Sequence, residues 1–307
     1  MQRRFSRYAW SVLGFNLLVI AWGALVRASK SGEGCGDHWP LCNGTVLPHA
    51  AQIATLIEFT HRATTGLALI SVVVLAIWAF RTFPPGSVRK AAAASLVLIL
   101  TEALLGAGLV LFRYVGDNAS IGRAVYLSAH LINTLLMLAA MALTAWWGAG
   151  HPPVRLAGKE NLAKLLGAAL FAALAIAVTG AITALSDTLF PSTSIASGWA
   201  LDFSSSSPWL VHLRIWHPIV AVLAGGYIAV LALSIKKTAG GYVVAALVFL
   251  QLAAGVLNLS LLAPIWMQLL HLLLADLLWI AAVLFAAEVL GQNPVVAAPL
   301  QFRKPAA

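Results

Sequence analysis

Residues 53–80 have the sequence IATLIEFTHRATTGLALISVVVLAIWAF, which is apolar apart from one short polar string. A helix needs roughly 20 apolar residues to cross about 30 Å of hydrocarbon, so this run alone predicts a transmembrane helix. Glu58, His61 and Arg62 lie inside it. Ionisable side chains are costly in hydrocarbon, and a membrane span that contains them is therefore a candidate functional site.

The rest of the chain repeats this apolar character. It has 307 residues, of which 61% are hydrophobic and only 9% are charged, and this excludes a water-soluble globular domain. The first apolar run follows three arginines, but it is too long for a signal peptide and no small-x-small cleavage site follows it. We therefore predict an all-α integral membrane protein with eight transmembrane helices, near residues 9–26, 53–80, 91–112, 124–147, 161–185, 209–235, 241–262 and 264–290.

The distribution of lysine and arginine predicts the orientation. With the N-terminus inside, thirteen of these cations fall on the cytoplasmic side and six on the other side. We therefore expect a multi-pass protein of the cell (inner or plasma) membrane with both termini cytoplasmic. The net charge of +9 is then an orientation signal, and membrane lipid rather than nucleic acid is the expected partner.

Short strings recur at matching places in the two halves of the chain. An even number of spans per half makes the repeat parallel, with an axis along the membrane normal. We therefore predict two pseudo-symmetric four-helix bundles, residues 1–151 and 152–307, joined by a polar connector. The matched features are Gly23–Ser29 with Gly180–Ser186, His61 with His217, Glu102–Gly106 with Gln251–Gly255, and His130 with His271.

Four histidines, His61, His130, His217 and His271, lie about seven to nine residues from the external ends of their predicted helices, or roughly 10–13 Å deep. Two imidazoles that face each other from different helices are what a planar macrocycle with two axial ligands requires. A single histidine could instead be a helix–helix hydrogen-bond partner. Zinc or copper is a further alternative, but two histidines per bundle leave the coordination short.

Acidic and basic residues around the histidines differ between the halves. Glu58 is one turn before His61, where it could move a proton, although an ion pair with Arg62 is an alternative that could coexist. The second half has Arg214 and Pro218 at the corresponding positions. We therefore expect chemistry in the first bundle and electron transfer in the second. Arginines at the external side could bind haem propionates or lie at the interface with lipid headgroups: Arg27, Arg62, Arg113, Arg123 and Arg214.

Both cysteines, Cys35 and Cys42, fall in the first external loop. An oxidising compartment permits a disulfide there. A Cys/His metal site that uses His38 or His49, and a redox-active cysteine pair, remain alternatives.

The Glu58-Phe-Thr-His61-Arg62 string, the Cys35/Cys42 loop, the eight spans in two halves and the four histidines together resemble bacterial haem A synthase. The resemblance covers nearly the whole chain. It implies that His61 and His130 bracket the substrate haem O, that His217 and His271 ligate a permanent haem b, and that Glu58 is the catalytic acid. It also implies that Cys35 and Cys42 form a disulfide.

The resemblance implies an oxidoreductase that converts a methyl group of haem O to the formyl group of haem A by successive hydroxylation and loss of water. Haem O synthase and haem-copper oxidase assembly factors would be partners, and a homo-oligomer stays open. One departure is His217-Pro218, where the family often has His-Arg, and Arg214 could substitute. The rival functions are a di-haem b-type membrane electron-transfer cytochrome linked to quinol, and a repeat-built transporter.

Overall fold

The computed structural model describes residues 2–48, 52–235 and 238–291, and this part of the chain is helical without a strand. Eight spans in these ranges are long and apolar enough to cross a membrane, which confirms the prediction of an all-α protein with eight spans. His49 and the basic residues Lys236, Lys237, Arg303 and Lys304, used in the predictions, lie outside the described residues. The helices are α1 (Gln2–Ala28), α2 (Ile53–Thr82), α3 (Ser87–Leu111), α4 (Ile121–Gly148), α5 (Glu160–Leu189), α6 (Ile195–Phe203), α7 (Trp209–His212), α8 (Trp216–Ser234), α9 (Ala239–Ser260) and α10 (Ile265–Gly291).

The sixth span differs from its prediction as one helix over 209–235. It is interrupted at residues 213–215, between α7 and α8. Pro218 has no backbone N–H and so cannot donate to the carbonyl of Arg214. The N–H of His217 donates to that carbonyl instead, at 3.3 Å, and Leu213 likewise bonds three residues back to Leu210, at 3.2 Å. The chain passes through tighter 3₁₀-like turns here, which places His217 at the start of α8.

The first helix also begins earlier than predicted. It starts at Gln2 rather than near residue 9, so Arg3, Arg4 and Arg7 belong to its first two turns. Helices in a membrane protein satisfy every backbone group internally, and nothing forces a helix to end where its apolar residues end.

Helix packing follows the order of the chain within each half. Helix α1 packs on α2 and α4, and α3 packs on α2 and α4; α8 packs on α5 and α9, and α10 packs on α9 and α5. Contacts of α4 and α1 with α5 and α10 join the two sets. The indole N–H of Trp279 in α10 donates to the carbonyl of Leu135 in α4 at 2.6 Å, and both residues belong to one buried core.

Candidate functional site

Each of the four predicted histidines lies against a glycine of the neighbouring helix. His61 of α2 faces Gly23 of α1 so closely that a Cβ on that glycine would be 2.8 Å from the ring. The corresponding distance is 3.0 Å for Gly180 and His217 and 3.2 Å for Gly255 and His271. Gly106 of α3 leaves more room, 4.0 Å, beside His130. The two halves therefore share matched glycine–histidine contacts. These contacts form because small residues let a helix approach a neighbouring side chain.

The two histidines of the second half face each other. The ring centroids of His217 and His271 are 6.3 Å apart, with the ring planes at 88°. With a metal–nitrogen bond of about 2 Å and roughly 1 Å more to the ring centroid, two imidazoles on opposite sides of one metal ion have centroids about 6 Å apart. The centroid spacing of His217 and His271 would therefore allow both rings to hold one metal ion.

The two histidines of the first half are also neighbours. His61 lies within electrostatic reach of both His130 and Glu102. The Nδ1 atom of His130 is 3.4 Å from a carboxylate oxygen of Glu102, within ion-pair range but too far for a good hydrogen bond. The structure thus brings Glu102 of α3, which the sequence singled out only as part of the repeated string Glu102–Gly106, to the first histidine pair.

The buried imidazole nitrogens offer a test of whether haem fits these residues. Nδ1 of His61 and Nδ1 of His271 are buried and have no hydrogen-bond partner within the described ranges. A buried polar atom without a partner calls for an unseen ligand, ion or water. No group of three or more His, Cys, Asp or Glu side chains in the described residues could hold a metal ion alone. A haem supplies four nitrogens of its own, so two histidines per site suffice, and the residues fit the group.

One imidazole is held in place by its neighbouring helix. Nδ1 of His217 lies 3.2 Å from the hydroxyl of Thr179. Hydrogen bonds of this kind fix the orientation of a ligating imidazole.

The carboxylate of Glu58 is buried, with only 3% of the residue exposed. One of its oxygens accepts from Arg62, at 2.5 Å from Nη2 and 3.2 Å from Nε. The other accepts from the backbone N–H of Cys35 at 2.8 Å. The ion pair that sequence analysis weighed is present. The contact with Cys35 was not predicted, because the path of a loop is not encoded in helical spacing.

Cys35 and Cys42 form a disulfide, as predicted, which favours a covalent bridge over a Cys/His metal site. Both cysteines are buried. The hydroxyl of Thr55 donates to the carbonyl of Gly34 at 2.8 Å, and a Cβ on Gly34 would lie 2.5 Å from the backbone of Ala54. The disulfide loop is therefore seated directly on the first turns of α2, beside Glu58.

Exposed ion pairs hold this loop at its edge. Lys30 donates to Asp117 at 2.7 Å, and this hydrogen bond, with the charge of the lysine, lowers the pKa of the Asp117 carboxyl. Arg113 donates to Asp37 at 2.6 Å. Both pairs are solvent-exposed and therefore contribute little to stability.

Arg62 and Arg214, two of the five arginines considered as propionate ligands, both donate hydrogen bonds to protein groups. Besides Glu58, Arg62 donates to the carbonyls of His38 at 2.7 Å and Leu41 at 2.6 Å, so it ties α2 to the disulfide loop. Arg214 donates from Nε to Asp202 at 2.9 Å and from Nη1 to Asp187 at 3.2 Å. The second half thus has carboxylates at this level, from α5 and α6, where alignment with Glu58 suggested an arginine alone.

Arg27 and Arg123 differ because all their described hydrogen bonds go to neutral groups. Arg27 donates to the carbonyl of Ala184 at 2.7 Å, to the hydroxyl of Thr188 at 2.8 Å and to the amide oxygen of Gln268 at 3.0 Å. Arg123 donates to backbone carbonyls of the loop before α4, including that of Gly116 at 2.7 Å. A guanidinium with neutral partners keeps its charge available to an anionic group.

The fold and the site define a multi-pass helical membrane protein with partly buried histidines in its helices and a disulfide loop on the first turns of α2. The sequence matches the model of the COX15-CtaA family, cytochrome oxidase assembly proteins, over residues 6–283. The chain belongs to this family.

Curated relatives agree with the family. The chain is 46% identical to a protoheme IX farnesyltransferase of Thermus thermophilus over 300 residues, which cover 94% of this chain and 49% of that protein. It is 41% identical over 144 residues to a heme A synthase of Alkalihalophilus pseudofirmus, covering 47% of this chain and 46% of the relative. A heme A synthase of Halalkalibacterium halodurans is 38% identical over 167 residues, 54% of each protein. The chain spans about half the length of these relatives.

Proposed function

We propose that this protein oxidises a methyl group of haem O to the formyl group of haem A. In this proposal His61 and His130 bracket the substrate haem, and His217 and His271 hold a resident haem b. The observation that carries it is the pairing of equivalent histidines against equivalent glycines, with the second pair 6.3 Å apart. The name heme A synthase of two relatives supports the same substrate and product.

The two halves would divide the work. When bound, haem b supplies a one-electron carrier within the membrane. Thr179 orients His217 toward it, and Gly180 and Gly255 make room for the two rings.

The proposed units are residues 1–151 and 152–307, and the proposed topology has both termini cytoplasmic. Haem O synthase and oxidase assembly factors are the proposed partners.

Glu58 is the proposed catalytic acid. Arg62 and the N–H of Cys35 each hold one of its oxygens, one turn from His61, so the carboxylate has a fixed position and is shielded from water. An acid in this position can give or accept a proton at an oxygen when either contact loosens. The corresponding place in the second half is occupied by Arg214, which is already paired with Asp187 and Asp202.

We expect the propionate carboxylates of a bound haem to pair with Arg27 and Arg123 rather than with Arg62 and Arg214. The first two have neutral described partners, whereas the latter two already neutralise protein carboxylates. Arg27 joins α1 to α5 and α10, so it lies where the first half of the chain meets the second.

Farnesyl transfer is a second candidate, because one relative carries that name. The match covers 49% of that protein, and its name does not say which half transfers the farnesyl group. The name heme A synthase of two other relatives, each matched over about half of this chain, favours oxidation. A di-haem electron carrier would not need Glu58 in a fixed position.

The test is to extract and identify the haems after expression in cells that make haem O. We expect haem A and haem b from the wild type, and haem O and haem b from Glu58→Gln, because the amide cannot donate a proton as an acid. Asp37→Asn, which removes an exposed acid of the same loop, is the matched control and should still yield haem A. Haem b alone from the wild type would identify an electron carrier. Wild-type haem A from Glu58→Gln would remove Glu58 from the mechanism.

A further inference from the structure

Glu102 of α3 and Gln251 of α9 occupy equivalent places beside the second histidine of each half. Each lies four residues before the glycine that faces that histidine, Gly106 or Gly255. In the first half a carboxylate oxygen of Glu102 lies 3.4 Å from Nδ1 of His130. The repeat therefore keeps a polar residue at this position but changes it from an acid to an amide.

The surroundings of Glu102 suit a carboxylate that accepts hydrogen bonds. The side-chain amide of Asn133 donates to Oε2 at 2.6 Å, and the hydroxyl of Thr134 donates to Oε1. Asn133 is itself fixed by the hydroxyl of Thr101, which donates to its amide oxygen at 2.6 Å. With these donors in place, a shift of a few tenths of an ångström would bring the His130 ring into hydrogen-bond range.

Gln251 makes neutral contacts only. Its amide nitrogen lies 3.3 Å from Nε2 of His271 and donates to the backbone carbonyl of the same residue at 3.1 Å. The partner ring, His217, contacts the neutral hydroxyl of Thr179. No charged side chain makes a described contact with either imidazole of the second pair.

We propose that Glu102 is a positioning residue that acts through His130 and gives an iron held by the first pair a lower reduction potential than an iron held by the second. A carboxylate that accepts from Nδ1 increases the electron donation of the imidazole and stabilises the ferric state, whereas an amide or hydroxyl does not. The proposal rests on the proposed function only in requiring that both histidine pairs bind haem.

The experiment uses full-length purified protein loaded with ferric protoporphyrin IX and followed by spectroelectrochemical titration. In a His271→Ala background only the first pair remains. There Glu102→Gln should raise the midpoint potential by at least about 59 mV, which is a tenfold change in the equilibrium constant for one-electron reduction. In a His130→Ala background only the second pair remains, and Gln251→Glu should lower its midpoint potential by a similar factor.

Asp117→Asn is the charge-matched control, because it removes one negative charge from an exposed loop and should move neither potential. The reciprocal variant keeps the test decisive if Glu102→Gln fails to bind haem. Haem binding with unchanged potentials in the substituted proteins would overturn the role of Glu102 while leaving the proposed function intact. Wild-type protein that shows no Soret band after loading would instead overturn the proposed function.

Discussion

A single methyl group at Gly23 should weaken haem binding by the first histidine pair. A Cβ at this position would lie 2.8 Å from Cε1 and 3.1 Å from Nε2 of His61, whereas ordinary contacts begin at 3.4 Å. Alanine therefore forces the imidazole to move by about 0.6 Å or more. Overpacking of this kind costs about 1–3 kcal/mol, and each 1.4 kcal/mol is tenfold in affinity. We expect Gly23→Ala to raise the Kd for haem about 10- to 100-fold.

The assay is titration of the purified protein with ferric protoporphyrin IX, followed by Soret absorbance, in a His271→Ala background. Gly106→Ala is the matched control, because the added Cβ would meet the ring of His130 at 4.0 Å, an ordinary contact. Its Kd should stay within about twofold of the parent, since no atom has to move. If Gly23→Ala and the parent bind haem equally well, or if both glycine variants lose the same affinity for haem, close packing of Gly23 against the His61 ring is refuted.

Three further outcomes are expected. His271→Ala should lose haem b while haem O or haem A is still extracted after expression in cells that make haem O, and an unchanged yield of haem b would refute ligation by the second pair. Arg27→Gln should weaken haem binding by about 1.5–3 kcal/mol, the range for a hydrogen bond to a charged group, when measured by haemin titration; an unchanged Kd would show that no propionate pairs with it. Gly34→Ala should loosen the disulfide loop, because its Cβ would meet the backbone of Ala54 at 2.5 Å. Reduction and maleimide labelling of the cysteines should then be faster than in Gly66→Ala, whose Cβ meets nothing within 4 Å.

Local features of the sequence were sufficient to predict the eight spans. Span length and apolar content depend on about 20 consecutive residues, and the bilayer leaves a helical chain no other way to satisfy its backbone. The interruption before His217 was not predicted, although Pro218 was noted. A proline disturbs the turn before it, and the sequence does not say how many residues leave the helix.

Recurrence of residues in the two halves predicted part of the site. It matched Gly23 with Gly180 and His61 with His217, and the structure shows each glycine against its histidine. Contacts made through loops were beyond this kind of inference. The hydrogen bond from the backbone N–H of Cys35 to the Glu58 carboxylate depends on the three-dimensional path of residues 29–48. It therefore has no signature in helical spacing.

The divergence between the halves lies beside the histidines rather than in them. The two halves have imidazoles and glycines at matched positions. The residues beside the imidazoles differ in charge: Glu102 lies 3.4 Å from Nδ1 of His130 and Glu58 is one turn before His61, whereas Thr179 and Gln251 contact the second pair. When the axial ligands are the same, reduction potential and proton transfer still respond to neighbouring charge and hydrogen bonds, so these four positions are where the two sites would acquire different functions. Exchanging Glu102 with Gln251 therefore probes the divergence more directly than removing any histidine.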